Sequence, residues 1–129
     1  MNIVGVDHIA INTFEYDKSV RFYRDILKLK QLQTVDCSDF YISYFELPGG
    51  ARLELFDYHN KNKVIDRNES DTGLRHVAFK VVDVAAHENK LREAGVEIIL
   101  STCELENLSS RVLLFLDPNG VVIEFCEQL

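Results

Sequence analysis

Two histidines and two glutamates recur at matching places in the two halves of this chain. His8 and Glu54 lie in the first half, and His76 and Glu124 lie in the second. The histidines are 68 residues apart (8 to 76) and the glutamates 70 (54 to 124). An ionisable side chain inside an apolar strand is costly unless it is paired or binds a metal. A single such residue would more often be a satisfied core residue, but the repetition predicts one shared metal site.

The types of these four residues indicate the chemistry of that site. A neutral imidazole and a carboxylate are good ligands for Zn²⁺, Ni²⁺, Fe²⁺ or Mn²⁺. Two of each would leave an octahedral ion two open positions for water or a chelating substrate. The two carboxylates would also balance the charge of a divalent ion.

The segments around the four residues are repeated as well, and they must position them. Val6 to Ile11 resembles Leu74 to Phe79, and each glutamate follows six residues after a proline, Pro48 or Pro118. An internal repeat indicates two similar supersecondary units that bury their apolar faces by packing.

Alternation and helical periodicity predict the elements of the first unit. Asp17 is the expected N-cap of its helix, and alternation places Glu54 on the strand face opposite Leu53 and Leu55. The predicted elements are a strand at 5–12, a helix at Asp17 to Leu29, and strands at Gln31 to Val35, Phe40 to Leu47 and Arg52 to Tyr58.

The second unit repeats this order after a polar linker at about residues 59–72. Asp83 is the expected N-cap of a helix that runs to Ala94 and stops at Gly95. Its strands are predicted at Leu74 to Val82, Val96 to Leu100, Arg111 to Leu116 and Val121 to Cys126. The fold class is therefore α+β, with two tandem βαβββ modules (about 1–58 and 73–129) in a single domain, forming a curved mixed sheet with a concave metal site.

Composition excludes several other functions. The 129 residues carry a net charge of −7, which disfavours nucleic acid and anionic membranes as partners. Three widely spaced cysteines fit neither a disulfide framework nor a zinc cluster. Neither a signal peptide nor a membrane span is evident. We expect a cytoplasmic protein.

Four segments together resemble the vicinal oxygen chelate superfamily, the glyoxalase/bleomycin-resistance/dioxygenase fold of paired βαβββ modules. The segments are Asp7 to Ala10, Ser19 to Tyr23, Arg75 to Phe79 and Asp117 to Glu124. The resemblance implies metal ligands at His8, Glu54, His76 and Glu124. It also implies a divalent ion (Ni²⁺, Zn²⁺, Mn²⁺, Fe²⁺ or Co²⁺), a small-molecule substrate and a homodimer.

Glyoxalase I is the most similar branch, because its ligands are His or Gln, Glu, His and Glu in chains of this length. There the metal is a Lewis acid that stabilises the enediolate formed from a hemithioacetal. The resemblance makes Glu124 the catalytic base, with Glu54 as its partner. Two positions depart from the pattern: Asn12 replaces an arginine that holds a glutathione carboxylate, and Asp57 replaces an asparagine. Both changes remove favourable contacts for an anionic thiol.

Other functions stay open at this point. One is a protein that sequesters a small molecule such as an antibiotic, although such members typically lack the four ligands. Others are an epimerase, a thiol transferase or a dioxygenase of the same superfamily. Eight further side chains have possible site roles, but core packing, a solvent-exposed charge or a place outside the site is the stronger interpretation for each: Tyr41, Ser43, Phe45, His59, Arg75, His87, Arg111 and Cys126.

Overall fold

The computed structural model describes residues 1–62, 66 and 68–129. The chain divides into two compact units, residues 1–64 and 65–129. Each unit contains its own four-stranded sheet with one parallel and two antiparallel strand pairs. The α+β class and the βαβββ order of both modules are therefore confirmed. No helix among the described residues is long and apolar enough to cross a membrane.

The sheet of the first unit has the strand order β1-β4-β3-β2, with β1 parallel to β4. A helix, α1, crosses between β1 and β2 and continues directly into a π-helical turn. The elements are β1 (His8–Asn12), α1 (Tyr16–Arg21), the π-helical turn (Phe22–Ile26), β2 (Lys30–Asp36), β3 (Phe40–Glu46) and β4 (Arg52–Tyr58).

The second unit has the corresponding order β5-β8-β7-β6, with β5 parallel to β8. Its helix, α2, again follows the first strand of the unit. The elements are β5 (Val77–Lys80), α2 (Val84–Glu93), β6 (Ile98–Leu105), a 3₁₀ turn (Glu106–Leu108), β7 (Ser110–Leu116) and β8 (Val122–Gln128).

Strand alternation builds the core of each unit against its helix. In the first unit Leu53, Leu55 and Phe45 are at most 1% exposed, and their register puts them on one sheet face. In the second unit Phe115 is fully buried and meets Phe125 edge to face, with ring centroids 4.9 Å apart. These residues bury the apolar face that each unit must remove from water.

The predicted start of the first strand and both predicted ends of the helix in the first unit are wrong. The first strand begins at His8 rather than residue 5, because its partner β4 begins at Arg52 and the turn before it offers no ladder. The helix begins at Tyr16, so Asp17 lies in its first turn and is not the N-cap. The helical stretch also ends at Ile26, before Leu29, because Lys28 takes a left-handed conformation (φ 61°).

In the second unit the helix prediction is confirmed and two strand predictions are corrected. The Asp83 side chain accepts a hydrogen bond from the Ala86 N–H at 3.1 Å, and the helix ends at Glu93 before Gly95. The first strand shortens to Val77–Lys80, the part that pairs with β8. The next strand extends beyond Leu100 to Leu105, because two register shifts keep it paired with β7.

Candidate metal site

The parallel pair β1 and β4 places His8 beside Glu54. Glu54 is the ladder partner of Ala10, and His8 lies two residues earlier on the same strand face. The two side chains are therefore diagonal neighbours, with His8 Nε2 3.7 Å from Glu54 Oε2. The Glu54 side chain is only 8% exposed, whereas that of His8 is 44% exposed.

The second unit repeats this geometry. Glu124 is the ladder partner of Ala78, and His76 again lies two residues before that alanine. Unlike His8, and contrary to the prediction from the sequence, His76 is not inside the strand but immediately precedes β5. The Nε2 atom of His76 is 3.2 Å from Oε2 of Glu124, and the two side chains are 26% and 18% exposed. Both units therefore bring a histidine and a glutamate together through the same alanine–glutamate ladder pair, although the sequence separation of histidine and glutamate is 46 residues (8 to 54) in the first unit and 48 (76 to 124) in the second.

The predicted ligands thus occur as two His–Glu pairs, one in each unit. In the described part of the chain, no group of three or more His, Cys, Asp or Glu side chains is arranged to hold a metal ion. Joining the two pairs around one ion therefore stays a prediction.

The donor atoms of each pair fit a divalent ion. Among the described residues, the ionic partner of the buried Glu54 carboxylate is His8 Nε2, at a distance beyond hydrogen-bond range. A buried negative charge without a close partner is costly, and a cation between the two donors would remove that cost. Imidazole nitrogen and carboxylate oxygen suit Zn²⁺ and its first-row neighbours.

Asp7 is a functional candidate that the sequence analysis did not assign. Its Oδ2 lies 2.7 Å from His8 Nδ1, on the opposite side of the ring from Glu54, and 3.6 Å from an Arg52 guanidinium nitrogen. The hydrogen bond with His8, and then the charge of Arg52, hold the pKa of Asp7 below its usual value. Adjacency to His8 in the sequence was the signal that could have suggested this role.

A cavity of about 300 Å³ opens at the ends of β1 and β4. Asn12 lines it, on the strand face that also carries His8. Lys61 also lines it, but its ammonium is 2.5 Å from Asp57 Oδ1, so its charge is already paired. Asn12 and Asp57 are the two positions that depart from the glyoxalase I pattern. Alternation places Asp57 on the strand face opposite Glu54, so only Asn12 shares the face of the His–Glu pair.

Most of the further side chains considered for the site have structural contacts instead. Ser43 and Phe45 are fully buried on the helix-facing side, where Ser43 accepts or donates hydrogen bonds with Tyr16 and Thr34. Arg111 is held by Glu104 and Glu127. Arg75 donates to Glu69, and the ring of His87 packs on Phe125.

Cys126 lies two residues from Glu124 on the same strand face. Burial, and then the negative charge of Glu124, raise the pKa of its thiol. Its Sγ lies 3.7 Å from the carbonyl oxygen of Phe79. A raised pKa reduces the thiolate fraction, so Cys126 is a poor nucleophile at neutral pH.

The sequence matches the Glyoxalase/Bleomycin resistance protein/Dioxygenase superfamily over residues 5–125. The chain belongs to this superfamily. The resemblance inferred from the four sequence segments is therefore confirmed.

Individual relatives carry different names. The chain is 26% identical to a lactoylglutathione lyase of Haemophilus influenzae, covering 93% of this chain and 90% of the relative. It is 32% identical to the metallothiol transferase FosB of Staphylococcus saprophyticus, covering 92% and 73%. The structure of a glyoxylase/bleomycin resistance protein/dioxygenase domain from Frankia sp. EAN1pec matches with a TM-score of 0.83 at 26% identity, covering 99% of this chain and all of that one.

Proposed function

We propose that this protein is a metal-dependent lyase or isomerase of the glyoxalase I type. Its substrate would be a hemithioacetal or a similar small molecule with two neighbouring oxygens. The proposal rests on one observation: a His–Glu pair in each unit, with the histidine two residues before the alanine that is the ladder partner of the glutamate. His8, Glu54, His76 and Glu124 would hold one divalent ion, either Ni²⁺, Zn²⁺, Mn²⁺, Fe²⁺ or Co²⁺.

The ion would supply Lewis-acid stabilisation of the charge that develops when the substrate loses a proton from carbon. We assign that proton transfer to Glu124, with Glu54 as its partner. The Glu124 side chain is 18% exposed against 8% for Glu54, so its carboxylate is the more accessible to substrate. Its carboxylate would accept the proton from one carbon and return it to the neighbouring carbon, while the hydroxyl proton moves to the oxygen on that neighbouring carbon, so that a hemithioacetal becomes the isomeric thioester.

The proposal also covers the oligomeric state of the protein. Small members are commonly homodimers, so we propose a homodimer for this chain. Light scattering of the purified protein would test this part separately from the chemistry.

Metal binding by the purified protein tests the ligand assignment. Chelator-treated wild type should bind one Ni²⁺ or Zn²⁺ per set of four ligands in titration calorimetry, and Glu124→Gln should bind it more weakly. Glu106→Gln, at an exposed residue of the 3₁₀ turn, is the matched control. Wild-type protein that binds neither ion would contradict the proposal.

Turnover tests the reaction. Hemithioacetals of methylglyoxal with several thiols should be converted to thioesters by the metal-loaded wild type. Glu124→Gln should lose at least about a hundredfold in rate if its carboxylate transfers the proton. Full turnover by this variant on the true substrate would refute the assignment.

A thiol transferase is the second candidate, and the 32% identical FosB relative favours it. Transferases of that kind bind their metal through His, His and Glu, and a carboxylate at the place of Glu54 is not one of the ligands. Glu54→Gln separates the two functions, because it should weaken metal binding in a four-ligand site and leave it unchanged in a three-ligand site.

A further inference from the structure

The two His–Glu pairs differ in the contact made by Nδ1, the ring nitrogen that does not face the glutamate. In the first unit, Asp7 Oδ2 lies 2.7 Å from His8 Nδ1. In the second unit, the residue before His76 is Arg75, whose guanidinium donates to Glu69 instead. His76 Nδ1 is buried and has no hydrogen-bond partner among the described residues.

This difference sets where the proton of each neutral imidazole lies. An ionised carboxylate only accepts hydrogen bonds, so the Asp7 contact requires a proton on His8 Nδ1. That proton leaves a lone pair on His8 Nε2, the atom that faces Glu54. No described residue offers an acceptor to His76 Nδ1, and its Nε2 is 3.2 Å from a Glu124 carboxylate oxygen that can accept a hydrogen bond.

Neighbouring groups hold Asp7 in place for this contact. Its backbone carbonyl accepts a hydrogen bond from the Arg52 N–H at 3.0 Å. The Arg52 guanidinium lies 3.6 Å from the Asp7 carboxylate and 4.9 Å from the centre of the Tyr44 ring. The carboxylate is therefore fixed between a cation and an imidazole, although its side chain is 79% exposed.

We propose that Asp7 is a positioning residue that holds His8 as a metal ligand through Nε2, and that Arg75, at the equivalent place in the second unit, does not act on His76 in this way. The inference rests on the proposed metal site. In the metal-free protein the two histidines then have opposite tautomers, with the proton on Nδ1 in His8 and on Nε2 in His76. His8 is ready to bind an ion through Nε2, whereas the proton of His76 must first move from Nε2 to Nδ1. Carboxylate–histidine contacts of this kind orient ligands and raise their basicity.

The tautomers can be read without any metal. Long-range ¹H–¹⁵N spectra of the chelator-treated protein at about pH 8.5, where an unperturbed imidazole is neutral, distinguish a protonated from an unprotonated ring nitrogen. We expect His8 protonated on Nδ1 and His76 on Nε2. Asp7→Ala should move the His8 proton toward Nε2 and leave His76 unchanged. Asp39→Ala, at an exposed residue of the same unit, should change neither.

Metal affinity is the second measurement. Competition with a chromophoric chelator should show that Asp7→Ala weakens Zn²⁺ binding about tenfold, the lower end of such effects because Asp7 is exposed. A His8 tautomer that is the same in wild type and Asp7→Ala would overturn the inference. So would a tautomer change with no change in Zn²⁺ affinity. If wild type binds no Zn²⁺ but the tautomer still responds, the proposed function fails while the action of Asp7 on His8 stands.

Discussion

The carboxylate of Glu88 joins helix α2 to strand β6, and its neutralisation gives a sharp test of the second unit. Its Oε2 accepts a hydrogen bond from the Thr102 backbone N–H at 2.8 Å, and its Oε1 accepts two from Arg92 at 2.9 and 2.6 Å. The side chain is 14% exposed. Contacts with Thr102, first from its side chain and then from its backbone N–H, followed by Arg92, lower the pKa of Glu88 from 4.5 to about 2.

This lowered pKa converts into an expected loss of stability for Glu88→Gln. A difference of about 2.5 units corresponds to about 3.4 kcal/mol at 1.36 kcal/mol per unit. The Arg92 side chain is 51% exposed, so solvent weakens its share. We therefore expect a loss of about 1.5 to 2 kcal/mol at pH 7.

The pH dependence follows from the direction of the shift. The pKa is lower in the folded protein, so the stabilisation is complete above the unfolded value of 4.5 and is lost as the pH falls toward 2. At pH 3 only about two-fifths of it should remain. The difference between wild type and variant should shrink accordingly.

Urea unfolding measures this difference. We would follow it by far-ultraviolet circular dichroism, because the chain has no tryptophan whose fluorescence could report unfolding. Glu93→Gln is the matched control: it neutralises an exposed glutamate of the same helix and should change stability by less than about 0.5 kcal/mol. An equal loss for Glu88→Gln at pH 7 and pH 3, or a loss no larger than that of the control, would refute the reasoning.

Three further predictions concern the core, a helix cap and the cavity. Phe115→Ala should cost about 3 to 5 kcal/mol in urea unfolding because this ring is fully buried against Phe125, whereas Val82→Ala, at an 89% exposed residue, should be nearly neutral; similar losses for both would contradict the packing. Asp83→Ala should cost about 1 kcal/mol or more, and Asp83→Asn much less, since asparagine also accepts the Ala86 N–H and tolerates a φ of 58°; equal losses would argue against capping. Asn12→Arg should lower KM for a glutathione hemithioacetal about tenfold with little change in kcat, and an unchanged KM would show that this position does not contact the thiol.

The order and type of the elements could be predicted because they depend on local patterns. Period-two alternation gives the strand Arg52–Tyr58 with the predicted bounds. Asp83 and Gly95 mark the ends of α2 because a cap and a left-handed stop each need particular residue types.

The remaining boundaries depend on strand pairing, which no local pattern shows. His8 begins β1 because β4 offers no partner before Arg52, and β6 reaches Leu105 because register shifts keep it paired with β7. The start of α1 was predicted one residue late, because Asp17 has the residue type of an N-cap although the helix already begins at Tyr16.

The sequence by itself determined which donors this protein carries, since the repeat alone marks His8, Glu54, His76 and Glu124 as equivalent. Only the tertiary structure decided how each pair meets, because the contact depends on parallel register: Ala10 opposite Glu54 and Ala78 opposite Glu124. The environment of each imidazole was likewise decided in three dimensions. Asp7 and Arg75 occupy the same place in the repeat, yet one carboxylate reaches the ring behind it, while the other side chain turns to Glu69 and leaves His76 Nδ1 without a partner in the described residues.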